Sequence, residues 1–127
     1  MSALPGLEDL SVLRVEVAEG VATVTIDRPP VNAQNGVFRD EITRVFDVLH
    51  ESEEVRAIVL TGAGKTFSAG ADLRDRPDAA KRGAFPRHSR GVRAGFDCVM
   101  ECGKPVIAAV NGAAIGAGCV LALVCDI

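Results

Sequence analysis

At 127 residues the chain has room for one domain with a real core, and 48% apolar against 24% charged residues is a globular balance that excludes general disorder. A net charge of −3, with five phenylalanines and no tryptophan or tyrosine, argues against nucleic acid as the main partner. Phosphate contacts need surplus lysine and arginine, and base stacking needs aromatic platforms, so small-molecule chemistry is the better expectation.

Residues 1–11 read as a leader, loose over Met1 to Leu10, with no basic-then-apolar pattern of a secretory signal. From Val12 the pattern alternates, Val15 and Val17 against Arg14 and Glu16. Glu19-Gly20 then turns into Val21-Ala22-Thr23-Val24-Thr25-Ile26, which predicts two strands and a tight turn. Asp27-Arg28-Pro29-Pro30 ends the second strand, because prolines cannot donate to a ladder and are expected to hold the chain extended. A loop over Asn32 to Gly36 follows. Phe38, Ile42, Val45, Phe46 and Leu49 recur at helical spacing while Arg39, Asp40, Arg44 and Asp47 take the other face, so a helix is predicted over Val37 to Glu51. His50, at its end, is expected to be solvated.

Val55 to Thr61 predicts the next strand, which opens into the loop Gly62 to Leu73. Gly64-Lys65-Thr66 copies the end of a P-loop, but the glycine that motif needs five residues earlier is Val59, inside a strand, and nucleotide hydrolysis is rejected. Ser68-Ala69-Gly70-Ala71-Asp72 is a small-residue loop at a strand's C-terminal end, where α/β proteins place ligands. Between Asp72 and Arg93 seven basic residues stand against three acids, in a chain of net charge −3. A basic segment beside a ligand loop suggests a phosphate-bearing partner such as the nucleotide end of a carrier. A second helix is predicted through Val92, Phe96, Val99 and Met100, stopped by Gly103 and Pro105.

Pro105 to Val110 reads as a buried strand and Ala117 to Val124 as a buried helix, joined by the turn Asn111-Gly112-Ala113-Ala114-Ile115-Gly116. A helix start leaves backbone N–H groups unpaired, and glycines let a ligand approach them, so the turn looks like a site for negative charge. No charged residue lies between Lys104 and Asp126, yet Asn111 and the glycines at mid-span exclude a membrane segment. The spacing G-x-x-x-G-x-G is not the dinucleotide fingerprint. Cys98, Cys102, Cys119 and Cys125 form no C-x-x-C pair; buried reduced thiols are expected rather than disulfides or a metal site, in keeping with cytoplasm. Strands alternating with helices predict an α/β fold.

Two segments together, Thr66-Phe67-Ser68-Ala69-Gly70-Ala71-Asp72-Leu73 and Lys104 through Cys119, closely resemble the enoyl-CoA hydratase/isomerase, or crotonase, family. The likeness begins near Val12, so residues 12–127 would be the N-terminal part of a crotonase-like acyl-CoA-binding domain. It implies an α/β spiral of ββα units, incomplete in this chain, in homotrimers or hexamers of the full-length protein. It also implies acyl-CoA substrates of fatty acid metabolism, with coenzyme A as part of the substrate and no bound cofactor. By motif position the thioester oxygen would lie between the backbone N–H groups of Ala71 and Ala117, an oxyanion hole for the enolate. Losing one such donor typically costs about 10²–10³ in rate. The resemblance further places Asn32 and Ala33 on the pantetheine channel, Arg74 near the nucleotide, and Ala69, Gly70, Asp72, Leu73, Gly116 and Val120 around the substrate.

The chain departs from the hydratase pattern in two ways. Hydration of a conjugated thioester needs one group to activate water and one to handle the α-carbon proton, and hydratases use two glutamates. The first would stand at Val120, which transfers no proton, and the second falls beyond Ile127. The family's domain is about double this length, so the chain is expected to be a fragment. Hydration of a trans-2-enoyl-CoA is the leading expectation. The alternatives are an isomerase-like member using a single acid outside this chain, or a non-catalytic acyl-CoA binder. His88, Asp97 and Glu101 are within-chain candidates for a substitute acid or base. A serine peptidase of related fold is excluded, because Gly116 to Ile127 holds no serine nucleophile.

Overall fold

The computed structural model describes residues 4–75 and 84–127. Strands β1 (Leu13–Ala18) and β2 (Val21–Ile26) form the expected hairpin, running from Leu13 opposite Ile26 to Ala18 opposite Val21. Glu19 and Gly20 both have positive φ, 54° and 81°, the mirror-image turn whose twist matches that of its strands. After β2 the chain turns instead of running extended: the Pro29–Pro30 bond is cis, and the Asn32 N–H donates to the Arg28 carbonyl at 2.9 Å. Asn32 makes this turn because its short polar side chain tolerates positive φ (56°) and its Oδ1 accepts the Arg28 N–H at 2.9 Å.

Helix α1 (Gly36–Glu51) begins at Asn35, whose side chain accepts the Phe38 N–H at 2.9 Å. Its buried face is Phe38, Ile42, Val45, Phe46 and Leu49, as the spacing predicts, with Glu41 added. At its C-terminal end Lys104 Nζ donates to the carbonyls of Leu49 and Ser52, supplying acceptors that the helix leaves open. His50 is also tied there, its Nδ1 accepting the Gly103 N–H at 2.9 Å, so it is only half solvated.

Strand β3 (Ala57–Gly62) leads to β4 (Thr66–Ser68), then to a 3₁₀ turn over Leu73–Asp75. Helix α2 (Ala84–Met100), β5 (Val106–Ala109), β6 (Ala113–Ala114) and α3 (Ala117–Leu123) complete the chain. The main sheet has the order β1-β2-β3-β5, with β2, β3 and β5 parallel. Helices α1 and α2 supply the crossovers that parallel neighbours require, and they pack on each other. Val24 stands opposite Leu60, and Leu60 opposite Ala108, so the inward rows of adjacent strands coincide. Ala22, Val24, Ile26, Ile58, Leu60 and Val106 are fully buried in one core that also holds the apolar stripe of α1. Each large side chain in such a core contributes about 1.5–3 kcal/mol relative to exposure.

Two further features depart from expectation. The stretches read as loops contain β4 and β6, which pair in parallel as a second sheet, Thr66 with Ala113 and Ser68 with Ala114. At three and two residues they are too short to carry a periodic pattern, and their pairing creates them. The N-terminal stretch is not loose from Leu4 onward: Leu4 is 9% exposed, and Leu7 and Leu10 pack on the core. The Glu41 carboxylate holds this entry by accepting the N–H groups of Ser11, Val12 and Leu13 at 2.8, 2.9 and 3.1 Å. Among the described residues no helix is long and apolar enough to cross a membrane.

Candidate functional site

The site forms where the β4 loop meets the turn before α3. The Gln34 N–H donates to the Gly70 carbonyl at 2.7 Å, and the Asp72 N–H donates to the Gln34 carbonyl at 2.8 Å. These two bonds straddle Ala71 in a parallel bridge, so Ala71's own N–H points away from Gln34. Gly70 adopts φ 92°, and a Cβ built on it would lie 2.6 Å from the Ile115 oxygen and 3.2 Å from the Ala117 nitrogen. The two loops therefore touch through bare backbone at this glycine. Gly118 repeats the device on the other side, since its Cβ would collide with the Ser68 carbonyl.

Ala71 and Ala117 line one 20 Å³ cavity, together with Gln34, Arg39, Phe96 and Leu121. That is room for about one water-sized sphere. Among the described residues neither the Ala71 nor the Ala117 N–H donates a hydrogen bond. For Ala117 the reason is general, because the first residue of a helix has no intrahelical acceptor. Both residues with free N–H groups thus border a cavity whose wall is otherwise largely apolar. No carboxylate or imidazole lines it among the described residues; its one charged group, Arg39, is paired with Asp75 at 2.5 Å.

The other predicted residues do not line this cavity. Asn32 is buried, its carboxamide donating to the carbonyls of Ala63 (3.1 Å) and Thr66 (2.8 Å), so it organises loops. The Ala33 carbonyl accepts from Arg28 Nη1, and the Ala69 N–H donates to the Val31 carbonyl. The Asp72 carboxylate accepts from the Arg74 side chain and N–H and pairs with Arg28 at 2.9 Å. Those bonds, Arg74's first, hold its pKa well below the usual carboxylate range. Leu73 is exposed, and Gly116 is the N-cap of α3 with φ 55°. Val120 lies on α3 at 42% exposure, outside the cavity wall. Sequence reasoning named Ser68 only as part of the ligand loop and did not single out Gln34; their contacts across the fold set them apart.

Of the candidate acid–base groups, Glu101 lines a separate 190 Å³ hollow with His50 and Cys102, while His88 and Asp97 are half-buried on α2 outside the cavity wall. Arg87, Arg90 and Arg93 are exposed along α2; Arg76, Lys81 and Arg82 of the basic segment lie outside the described residues. The four cysteines are free, but Cys119 is exposed rather than buried as expected, because it falls on the outer face of a helix that buries only Gly118 and Leu121. Burial pushes the Cys98 thiol up to about 12 and the Cys125 thiol up to about 11.

A family model described as enoyl-CoA hydratase/isomerase matches residues 16–127. A probable enoyl-CoA hydratase of Rhodobacter capsulatus is 43% identical over 121 residues, covering 91% of this chain and 44% of that protein. The solved structure of DspI from Pseudomonas aeruginosa superposes with a TM-score of 0.87 at 33% identity, covering 94% of this chain and 49% of the other. Enoyl-CoA hydratase from Bacillus anthracis gives a TM-score of 0.82 at 32% identity, covering 92% and 46%. The chain spans less than half the length of the curated relatives it matches.

Proposed function

Because the chain belongs to the enoyl-CoA hydratase/isomerase family, we propose that it holds an acyl-CoA thioester with the carbonyl oxygen between the N–H groups of Ala71 and Ala117. The observation that carries this reading is the pair of undonated backbone N–H groups in the wall of one cavity. In hydration of a trans-2-enoyl-CoA, water oxygen adds to the β-carbon and electron density moves onto the thioester oxygen. Fixed donors there favour the enolate over the ground state, and the reaction ends when the α-carbon takes a proton. Coenzyme A enters as part of the substrate, its phosphates drawn toward Arg74 and the exposed arginines of α2. Val110, Ile115, Leu123 and Ile127 are exposed apolar residues available to an assembly contact, and we take the assembly to be a homotrimer or hexamer.

A second reading, favoured by Val120 and by the absence of an acid or base from the described cavity wall, is acyl-CoA binding without hydration, or isomerisation with an acid from outside this chain. Incubation with crotonyl-CoA separates them. Loss of the conjugated thioester's ultraviolet absorbance supports hydration. Saturable binding without that loss supports the second reading, and failure to bind any acyl-CoA overturns both.

A further inference from the structure

Ser68 is bonded to both loops that carry the candidate donors. Its carbonyl accepts the Ile115 N–H at 3.0 Å, two residues before Ala117. Its hydroxyl accepts the Gly70 N–H at 3.2 Å, one residue before Ala71. The residue is completely buried. A hydroxyl offers one proton and two lone pairs. Here the proton goes to the Asn32 carbonyl at 2.8 Å, and the lone pairs take the Gly70 N–H and Gln34 Nε2 at 3.3 Å. All three positions are committed, which fixes the rotamer and leaves no lone pair to act as a nucleophile. Gln34 completes the frame, since its backbone pins the peptides on either side of Ala71 while its side chain holds the Ser68 hydroxyl.

We propose that Ser68, backed by Gln34, is the positioning residue that sets the separation and direction of the Ala71 and Ala117 N–H bonds. The inference rests on the oxyanion reading above. Donors stabilise developing charge only where they are held in advance, and a misplacement of about 1 Å can cost about 100-fold in rate. A saturated buried network resists such displacement, because moving one member strands another without a partner.

The test uses an acyl-CoA labelled with carbon-13 at the thioester carbonyl, bound to the intact chain and observed by infrared difference spectroscopy. Two donors polarise the carbonyl and lower its stretching frequency relative to free acyl-CoA. Ser68→Ala is expected to lose most of that lowering while affinity for coenzyme A without an acyl group stays unchanged. Gln34→Leu keeps both backbone bonds and should lose part of it, and the double variant should lose no more than Ser68→Ala alone, because both act through one hydroxyl. If Ser68→Ala does not fold, Gln34→Leu carries the test. A wild-type lowering that both variants retain in full overturns the proposal, as does loss in step with coenzyme A affinity. No lowering in the wild type means that the oxyanion reading itself has failed, and this inference with it.

Discussion

Gly70 is one of the points where the two loops touch through bare backbone, and its left-handed φ of 92° leaves no place for a side chain. Gly70→Ala should push the loops apart, destabilise the fold by roughly 1–3 kcal/mol and abolish acyl-CoA binding, as read by the urea midpoint and by calorimetric titration. Unchanged binding would mean that this contact does not govern the site. Glu41 acts at the same scale on stability. Burial alone would raise its pKa, but N–H donors from Val12, Ser11 and Leu13 outweigh that, and the pKa is lowered from 4.5. Its contribution is therefore complete above the unfolded pKa and fades as pH falls through the lower folded value. Glu41→Gln should cost about 1.5–3 kcal/mol at neutral pH, with the gap to wild type narrowing in acid. Urea unfolding across a pH series checks both the size and the sign.

Among the elements, α1 was legible because its apolar residues fall on one stripe; β4 and β6 were not, because pairing defines them. Helix α3 lies between these cases, readable from its small residues and leucines yet with Val120 turned outward. Val120→Glu places a carboxylate one turn from Ala117, on the same face. At an exposed position it should change stability by less than about 0.5 kcal/mol. Crotonyl-CoA hydration should appear only in a protein that also supplies a second acid. Hydration gained by this chain through Val120→Glu alone would show that the other proton-handling group is already present.

Across the whole molecule, charge is distributed unevenly. Arg87, Arg90 and Arg93 stand exposed along α2 in a chain of net charge −3. Replacing all three with glutamine should weaken coenzyme A binding roughly tenfold at low salt and flatten its salt dependence, since exposed charges are individually weak and readily screened. Titrations at two ionic strengths measure both effects, and equal salt slopes in variant and wild type would place the phosphates elsewhere. Periodicity and turn chemistry in the sequence determined the hairpin, α1, the later turns of α2, the strands β3 and β5 and the two glycine-bearing loops, because those signals act between near neighbours; that β2, β3 and β5 pair in parallel came from the fold. Which residues join the loops was decided by the tertiary structure alone. The Ser68 hydroxyl, the Gln34 carboxamide and the inward turn of Asn32 depend on partners some thirty to fifty residues away, brought within hydrogen-bond reach only once the sheets have formed. Short polar side chains in loops carry no periodic mark of such distant bonds.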